Sequence, residues 1–203
     1  MSAFASVGDV SRETLQELER FEALSKKWTQ RINLISKSSE AHIWERHILD
    51  SLQLVPCLPS EGRWLDIGSG GGYPAIVLAI AAKTHVPKLR FVLVESDHRK
   101  AAFLRTAIRE HGLNAQVKAS RIEALEPQSA DTVSARALAS ISSLLDYAAP
   151  HLSNAGKMVF PKGANWQKEI EEASQTWSFT YEAVTSKTDP SSAIVIIGDA
   201  RRV

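Results

Sequence analysis

The chain has 203 residues, of which 44% are apolar and 23% charged, and its net charge is +1. That length suits one well-packed α/β domain with a small appendage and excludes two large domains, while the apolar content excludes a disordered chain. Near-neutrality excludes a molecule that draws polyanions to its whole surface, so a nucleic acid would have to be met by a local patch, such as Lys26, Lys27 and Arg31 or Arg99, Lys100, Arg105 and Arg109.

At the start of the chain there is no basic stretch followed by an apolar core, so no secretion leader is expected, and no apolar run approaches the ~20 residues that span a bilayer. The single cysteine, Cys57, leaves no internal disulfide framework and fits a reducing compartment. A soluble, cytoplasmic protein is expected. Leu15, Leu18, Phe21, Leu24 and Trp28 recur at spacings of three and four and predict a helix over 11–28, with Ser11 as its N-cap and Glu13 in the first turn. A second helix is predicted over 39–54, with Ile43, Trp44, His47, Ile48 and Leu52 inward, and Pro56 and Pro59 punctuate the join that follows. These helices read as a cap, residues 1–60, on a main unit of residues 61–203.

From residue 62 the pattern alternates. A short strand, 63–67, leads into a cluster of glycines, and Pro74 opens a helix to about Ala82. Leu89–Glu95 is a continuous apolar strand, as expected when both faces are covered. A helix over 97–111 stops at Gly112, a weak strand follows at 116–120 and a better one at 132–135, and a helix covers 140–149. A strand at 157–161, a helix over about 165–177 and two closely spaced runs, 178–185 and 193–198, complete the chain. The expectation is an α/β fold: a mostly parallel seven-stranded sheet, helices on both faces, an antiparallel C-terminal hairpin and ligands at the strands' C-terminal ends.

The glycine cluster reads Asp66-Ile67-Gly68-Ser69-Gly70-Gly71-Gly72-Tyr73-Pro74. It departs from the dinucleotide pattern G-x-G-x-x-G, because Tyr73 stands where the third glycine belongs. It resembles instead the D-x-G-x-G-x-G motif of class I S-adenosylmethionine-dependent methyltransferases, which have a Rossmann-like fold. That cofactor has no phosphate to nest. It needs bare backbone beside its adenosine and methionyl parts and a carboxylate to face its positive charge, which Asp66 would supply. Glu95, closing the next strand ~20 residues past the glycines, is the expected acceptor for both ribose hydroxyls.

Further blocks resemble the ribosomal RNA small subunit methyltransferase G family: Trp28–Leu34 with its W-x-x-x-I-N-L segment, Arg46-His47-Ile48-Leu49-Asp50-Ser51-Leu52, Lys100–Arg105, Arg121-Ile122-Glu123, Ser134-Ala135-Arg136-Ala137 and Lys162-Gly163. Three departures stand out: Gly71 where the family commonly has proline or alanine, Glu95 where it often has aspartate, and Pro161 before Lys162, which should end its strand early. The resemblance implies an N-terminal helical cap on a class I methyltransferase domain. It also implies methylation of N7 of one guanine in 16S rRNA, with S-adenosyl-L-methionine as donor and S-adenosyl-L-homocysteine as product. By resemblance, Gly68, Gly70, Gly72 and Tyr73 contact the cofactor, Ile122 and Glu123 flank its adenine, and Arg136 lies beside the cofactor pocket as a further contact. Arg46, Asp50, Ser51, Arg136 and Lys162 are the expected substrate contacts within the small ribosomal subunit or its precursor.

The remaining readings rest on the residues themselves. His47 fits a buried helix histidine first and a catalytic group, beside Arg136, second. Arg46 and Asp50, four apart, fit a plain helix ion pair. Tyr73 is the aromatic expected to touch cofactor or base, whereas Trp28 and Trp44 are expected in the core. No metal spacing occurs, so no metal is expected, and the protein is expected to be a monomer. A methyltransferase of small molecules and a non-catalytic ribosome-assembly factor are the competing functions. The first predicts an apolar acceptor pocket, and the second is disfavoured by the intact Asp66, glycines and Glu95.

Overall fold

The computed structural model describes residues 10–203, so residues 1–9 of the expected cap lie outside the described residues. Helix α1 (Arg12–Thr29) begins where the Ser11 side chain accepts the Thr14 N–H, and it buries Leu18, Phe21 and Ser25. Leu24 and Trp28 complete its apolar stripe, half-buried against the core. It lies across two helices of the main unit, α4 (Ala75–His85) and α5 (His98–His111). Because α4 is covered by the sheet on one side and by the cap on the other, it is apolar all round, and every residue from Ala75 to Ala82 is buried.

The second predicted helix is not continuous. A turn of helix, α2 (Lys37–Glu40), is followed by a π-helical segment, Trp44–Leu49, that runs into the short α3 (Asp50–Leu52). Ile43, Ile48 and Leu52 are buried as their spacing implied, and Trp44 is half-buried against the core. The wider π turn changes which side chains share a face, with consequences for Arg46 and Asp50 described below.

Among the described residues, seven strands make one sheet in the order β3-β2-β1-β4-β5-β7-β6. Strands β1 (Gly62–Ile67), β2 (Leu89–Val94), β3 (Ala115–Lys118), β4 (Ala130–Ala135) and β5 (Leu152–Lys162) are parallel, and β7 (Ala193–Arg202) runs antiparallel between β5 and β6 (Trp177–Thr185). Helices α6 (Ile141–Ala148) and α7 (Trp166–Ala173) lie side by side after β4 and β5. Asp97 and Ser140 cap α5 and α6 through their side chains, and Gly112 closes α5 at φ 57.

Besides the earlier start of β5 at Leu152 and small shifts elsewhere, three differences from the sequence expectation shape the C-terminal half of the sheet. The last helix stops at Ala173, because Trp177 turns into the sheet and begins β6. Strand β7 continues to Arg202, paired with β6 beyond the apolar run. Pro161 does not end β5: the parallel ladder to β4 stops at Val159, while Pro161 keeps its place opposite Ile194 of β7. The chain reverses its direction of sheet growth between β1 and β4, and crevices at the strand ends flanking such a point are where α/β folds bind ligands.

Candidate active site

The glycine loop leaves β1 and is fastened to the end of β2. Gly68 and Ser69 N–H donate to the Val94 carbonyl at 2.9 and 3.0 Å. Gly70 N–H donates to Glu95 Oε2 at 2.8 Å, and Asp97 N–H to Glu95 Oε1 at 2.8 Å. One carboxylate thus ties the loop to the start of α5. Gly68 sits at φ 67, and a Cβ there would meet the Leu138 side chain at 2.9 Å. At Gly72, φ is 81 and a Cβ would strike Ile76 at 2.6 Å, so this glycine seats the loop on α4.

The loop borders a cavity of about 410 Å³ lined by Gly68, Gly70, Glu95, Ile122, Glu123 and Arg136, together with Leu138 and Lys100. Three residues expected to touch a cofactor are absent from its lining: Asp66, Gly72 and Tyr73. Gly72 is beneath the loop, and the other two are enclosed.

Asp66 is only 1% exposed. Its Oδ1 accepts the Ser134 hydroxyl at 2.5 Å, and Ser134 in turn accepts the Trp64 indole N–H at 2.7 Å, while Oδ2 finds no partner among the described residues. Burial pushes its pKa up from 3.8 to about 6, against the hydrogen bond from Ser134. The folded carboxyl therefore holds its proton to higher pH than the unfolded chain does. Ionising it costs stability as pH rises from about 4 to about 6, and at pH 7.5 the whole cost, about 3 kcal/mol, is present. Asp66→Asn is accordingly expected to stabilise the ligand-free protein by about 2 kcal/mol at pH 7.5, since its own amide also lacks an acceptor, and by little at pH 4. Urea unfolding at the two pH values measures both.

Tyr73 is 5% exposed because α1 covers the loop. Its hydroxyl donates to Ser25 Oγ at 3.1 Å, and its ring stacks on His47 with centroids 5.0 Å apart and an interplanar angle of 28°. The Arg136 Cζ lies over the same ring at 5.5 Å. Tyr73 is therefore the seat of a cluster and not an open platform for a base. Arg136, the residue after β4, donates through Nη2 to His47 Nδ1 at 2.9 Å. Through Nη1 it donates to the Arg46 carbonyl at 3.1 Å and to Asp50 Oδ2 at 3.3 Å. An arginine only donates, so His47 accepts at Nδ1 and carries its proton on Nε2, which has no partner among the described residues. Burial first, then Arg136 and Arg46, push its pKa down to about 4, and His47 is neutral at physiological pH.

The expected Arg46–Asp50 helix pair does not form, because the π segment intervenes and Asp50 turns to Arg136. Ser51 is fully buried and donates to the His47 carbonyl at 2.5 Å within its own helix, so it offers nothing to a substrate. Arg46, His47, Asp50 and Lys162 line a second cavity, also of about 410 Å³. Arg136 and Ala137 line both cavities. Lys162 is tethered there, 2.6 Å from Glu169 and donating to the Ala139 carbonyl at 2.8 Å, instead of standing free for a phosphate.

Sequence reasoning missed Glu169, Leu138 and Ala137 as site residues. Leu138 is a large apolar residue left 42% exposed just after β4, an exposure that only the fold reveals. Ala137 has φ 52, a left-handed conformation uncommon for a residue with a Cβ, and no sequence feature announces it.

A parallel sheet with an antiparallel strand inserted before its edge, and a cavity over the ends of β1, β2 and β4, defines the class I methyltransferase fold. The solved structure of M. jannaschii TYW2 in complex with AdoMet shares it, with a TM-score of 0.61 at 15% identity over 86% of this chain and 80% of that one. The family model described as rRNA small subunit methyltransferase G matches residues 14–193. Ribosomal RNA small subunit methyltransferase G of Cereibacter sphaeroides is 53% identical to this chain, with 92% of this chain and 91% of the relative covered. The protein of that name from Ruegeria pomeroyi is 47% identical, with 98% of each covered. The chain belongs to the rRNA small subunit methyltransferase G family.

Proposed function

We propose that the protein methylates N7 of one guanine in 16S rRNA, working as a cytoplasmic monomer on the small ribosomal subunit or its precursor. The observation that carries this reading is the pair of cavities that meet at Arg136 and Ala137, one suited to a nucleoside cofactor and the other to an acceptor base. The first fits S-adenosylmethionine: bare backbone at Gly68 and Gly70, a buried carboxylate at Glu95 with a further lone pair on each oxygen for ribose hydroxyls, and Ile122 with Glu123 for the adenine edge. Bound there, S-adenosylmethionine supplies an electrophilic methyl group on a sulfonium.

What the chain must add is orientation. Guanine N7 already presents a lone pair, so no general base is required. Two features support this: the segment across the end of β4 is Ser134-Ala135-Arg136-Ala137 rather than the Asn-Pro-Pro-Tyr type found where an amine must be deprotonated, and the His47 nitrogen able to accept a proton is occupied by Arg136. Arg136 is placed to donate to guanine O6 or to a phosphate, not to N7, where the product gains positive charge. Orientation of two reactants can contribute up to roughly 7–11 kcal/mol when the bound geometry is a near-attack one.

The test is incubation with labelled S-adenosylmethionine and either 30S subunits or naked 16S rRNA from cells lacking the gene, followed by mapping of the modified base. Label at one guanine N7 is expected. Label on an amino nitrogen, a protein or a small molecule would sink the reading.

A further inference from the structure

One wall of the second cavity is the turn between β6 and β7, which contributes Ser186 and Ser192. Asp189 organises this turn, accepting the Ser191 N–H at 2.9 Å and the Ser192 hydroxyl at 2.8 Å. The turn is also held from outside, by Gln53 at the end of α3. Gln53 is 8% exposed, and its Nε2 lies 3.2 Å from each of Asp50 Oδ1, Ser186 Oγ and Thr188 Oγ1. Its Oε1 accepts the Lys187 N–H at 2.6 Å. The Thr188 hydroxyl donates to Asp50 Oδ1 at 3.0 Å, and the other Asp50 oxygen accepts from Arg136. A buried glutamine is often no more than a satisfied core residue. Here, however, every partner belongs either to the β6–β7 turn, whose Ser186 lines the cavity, or to the carboxylate that holds its arginine.

We propose that Gln53 is a positioning residue for methyl transfer: it locks the β6–β7 turn to Asp50 and, through Asp50, aims Arg136 into the acceptor cavity. The proposal rests on reading that cavity as the acceptor site. Asp50 has two oxygens and several claimants. Without Gln53 and its grip on Thr188, Oδ1 loses its donors and the carboxylate is free to rotate away from Arg136. A Lys187 N–H left without its acceptor would let the wall open.

Gln53→Leu, which keeps volume but neither donates nor accepts, tests this in the full-length protein. Thr188→Val, an exposed change that removes the hydroxyl donor to Asp50 together with that hydroxyl's contacts to Gln53 and Ser186, serves as the milder variant and decides the matter by the same readouts where the first does not fold. Two readouts need no acceptor. Amide exchange at Lys187, Thr188 and Asp189 should quicken at least tenfold in Gln53→Leu, and the His47 imidazole should titrate closer to its ordinary range by NMR, because Arg136 no longer sits fixed beside it. In transfer assays kcat should fall about tenfold with cofactor affinity unchanged within twofold. Gln53→Leu combined with Arg136→Lys should be no slower than Arg136→Lys alone. Unchanged exchange and titration would overturn the proposal, as would additive effects in the double variant or a parallel loss of cofactor affinity. If the wild-type protein transfers no methyl group to rRNA, the function proposed above fails, while exchange and titration still decide the role of Gln53.

Discussion

Arg136→Ala is expected to slow methyl transfer by about 10³-fold while cofactor affinity changes less than about 10-fold, and Arg136→Lys to slow it by about 10². The asymmetry follows from where the side chain is held. Its guanidinium is shared among His47, the Arg46 carbonyl and Asp50, and lies over the Tyr73 ring, so its direction is fixed before any acceptor arrives. Lysine keeps the charge but cannot bridge three acceptors in one plane, and loses the fork that could grip a guanine O6 or a phosphate. Alanine also strips Asp50 of its ion pair, at a cost of roughly 1–3 kcal/mol because that carboxylate is largely enclosed. A second signature accompanies the rate. His47 loses its nearest positive charge, so its titration, now at about 4, should move upward yet stay below the ordinary value because burial remains. A neutral folded histidine that protonates less readily than the unfolded chain makes the protein lose stability as pH falls from 6.5 towards 4. In Arg136→Ala that acid sensitivity should shrink. Single-turnover kinetics with saturating cofactor measure the first effect, and NMR titration the second. An Arg136→Ala protein that transfers within tenfold of the wild type would remove Arg136 from the site.

The features legible in the sequence were those set by local periodicity. The alternation of apolar strands with helices between β1 and α7, the caps at Ser11 and Asp97, the stop at Gly112 and the covered faces of β2 each follow from a few neighbouring residues. The residues that lay beyond reach depend on who covers whom. Tyr73 looked open because it follows a loop at strand ends, but the tertiary placement of α1 over that loop buries it on Ser25. Arg46 and Asp50 looked like a pair because four residues separate them on an α-helix, and a π segment is not visible in spacing alone. Asp66 looked like a cofactor contact because its motif matched, yet Ser134 on the adjacent strand draws it inward. Gln53 gave no signal at all, since its partners in the β6–β7 turn lie more than 130 positions away. Motif and position identified the family and the cavity. Which side chains face that cavity was decided by contacts between segments far apart in the chain.

Glu95→Ala is expected to weaken S-adenosylmethionine binding by about 10²-fold, and Glu95→Gln by about 10-fold. The carboxylate is 7% exposed at the cavity floor and already accepts one backbone N–H on each oxygen. Each oxygen keeps a lone pair, and hydrogen bonds to a charged acceptor contribute about 1.5–3 kcal/mol each, so two ribose hydroxyls account for the larger figure even after the loss of their hydration. Glutamine retains one oxygen but turns an amide N–H₂ towards either Gly70 N–H or Asp97 N–H, setting donor against donor. It therefore loses a ribose bond and also loosens the loop or the start of α5. For the same reason both variants should be less stable without ligand, alanine by about 2 kcal/mol as two backbone donors lose their partner. The distinction between the two roles is measurable. If Glu95 only fastened the loop, adenosine and 2′,3′-dideoxyadenosine would bind equally well to the wild type. If it also accepts from the ribose, calorimetry should show the dideoxy compound binding at least tenfold more weakly to the wild type and no more weakly than adenosine to Glu95→Ala.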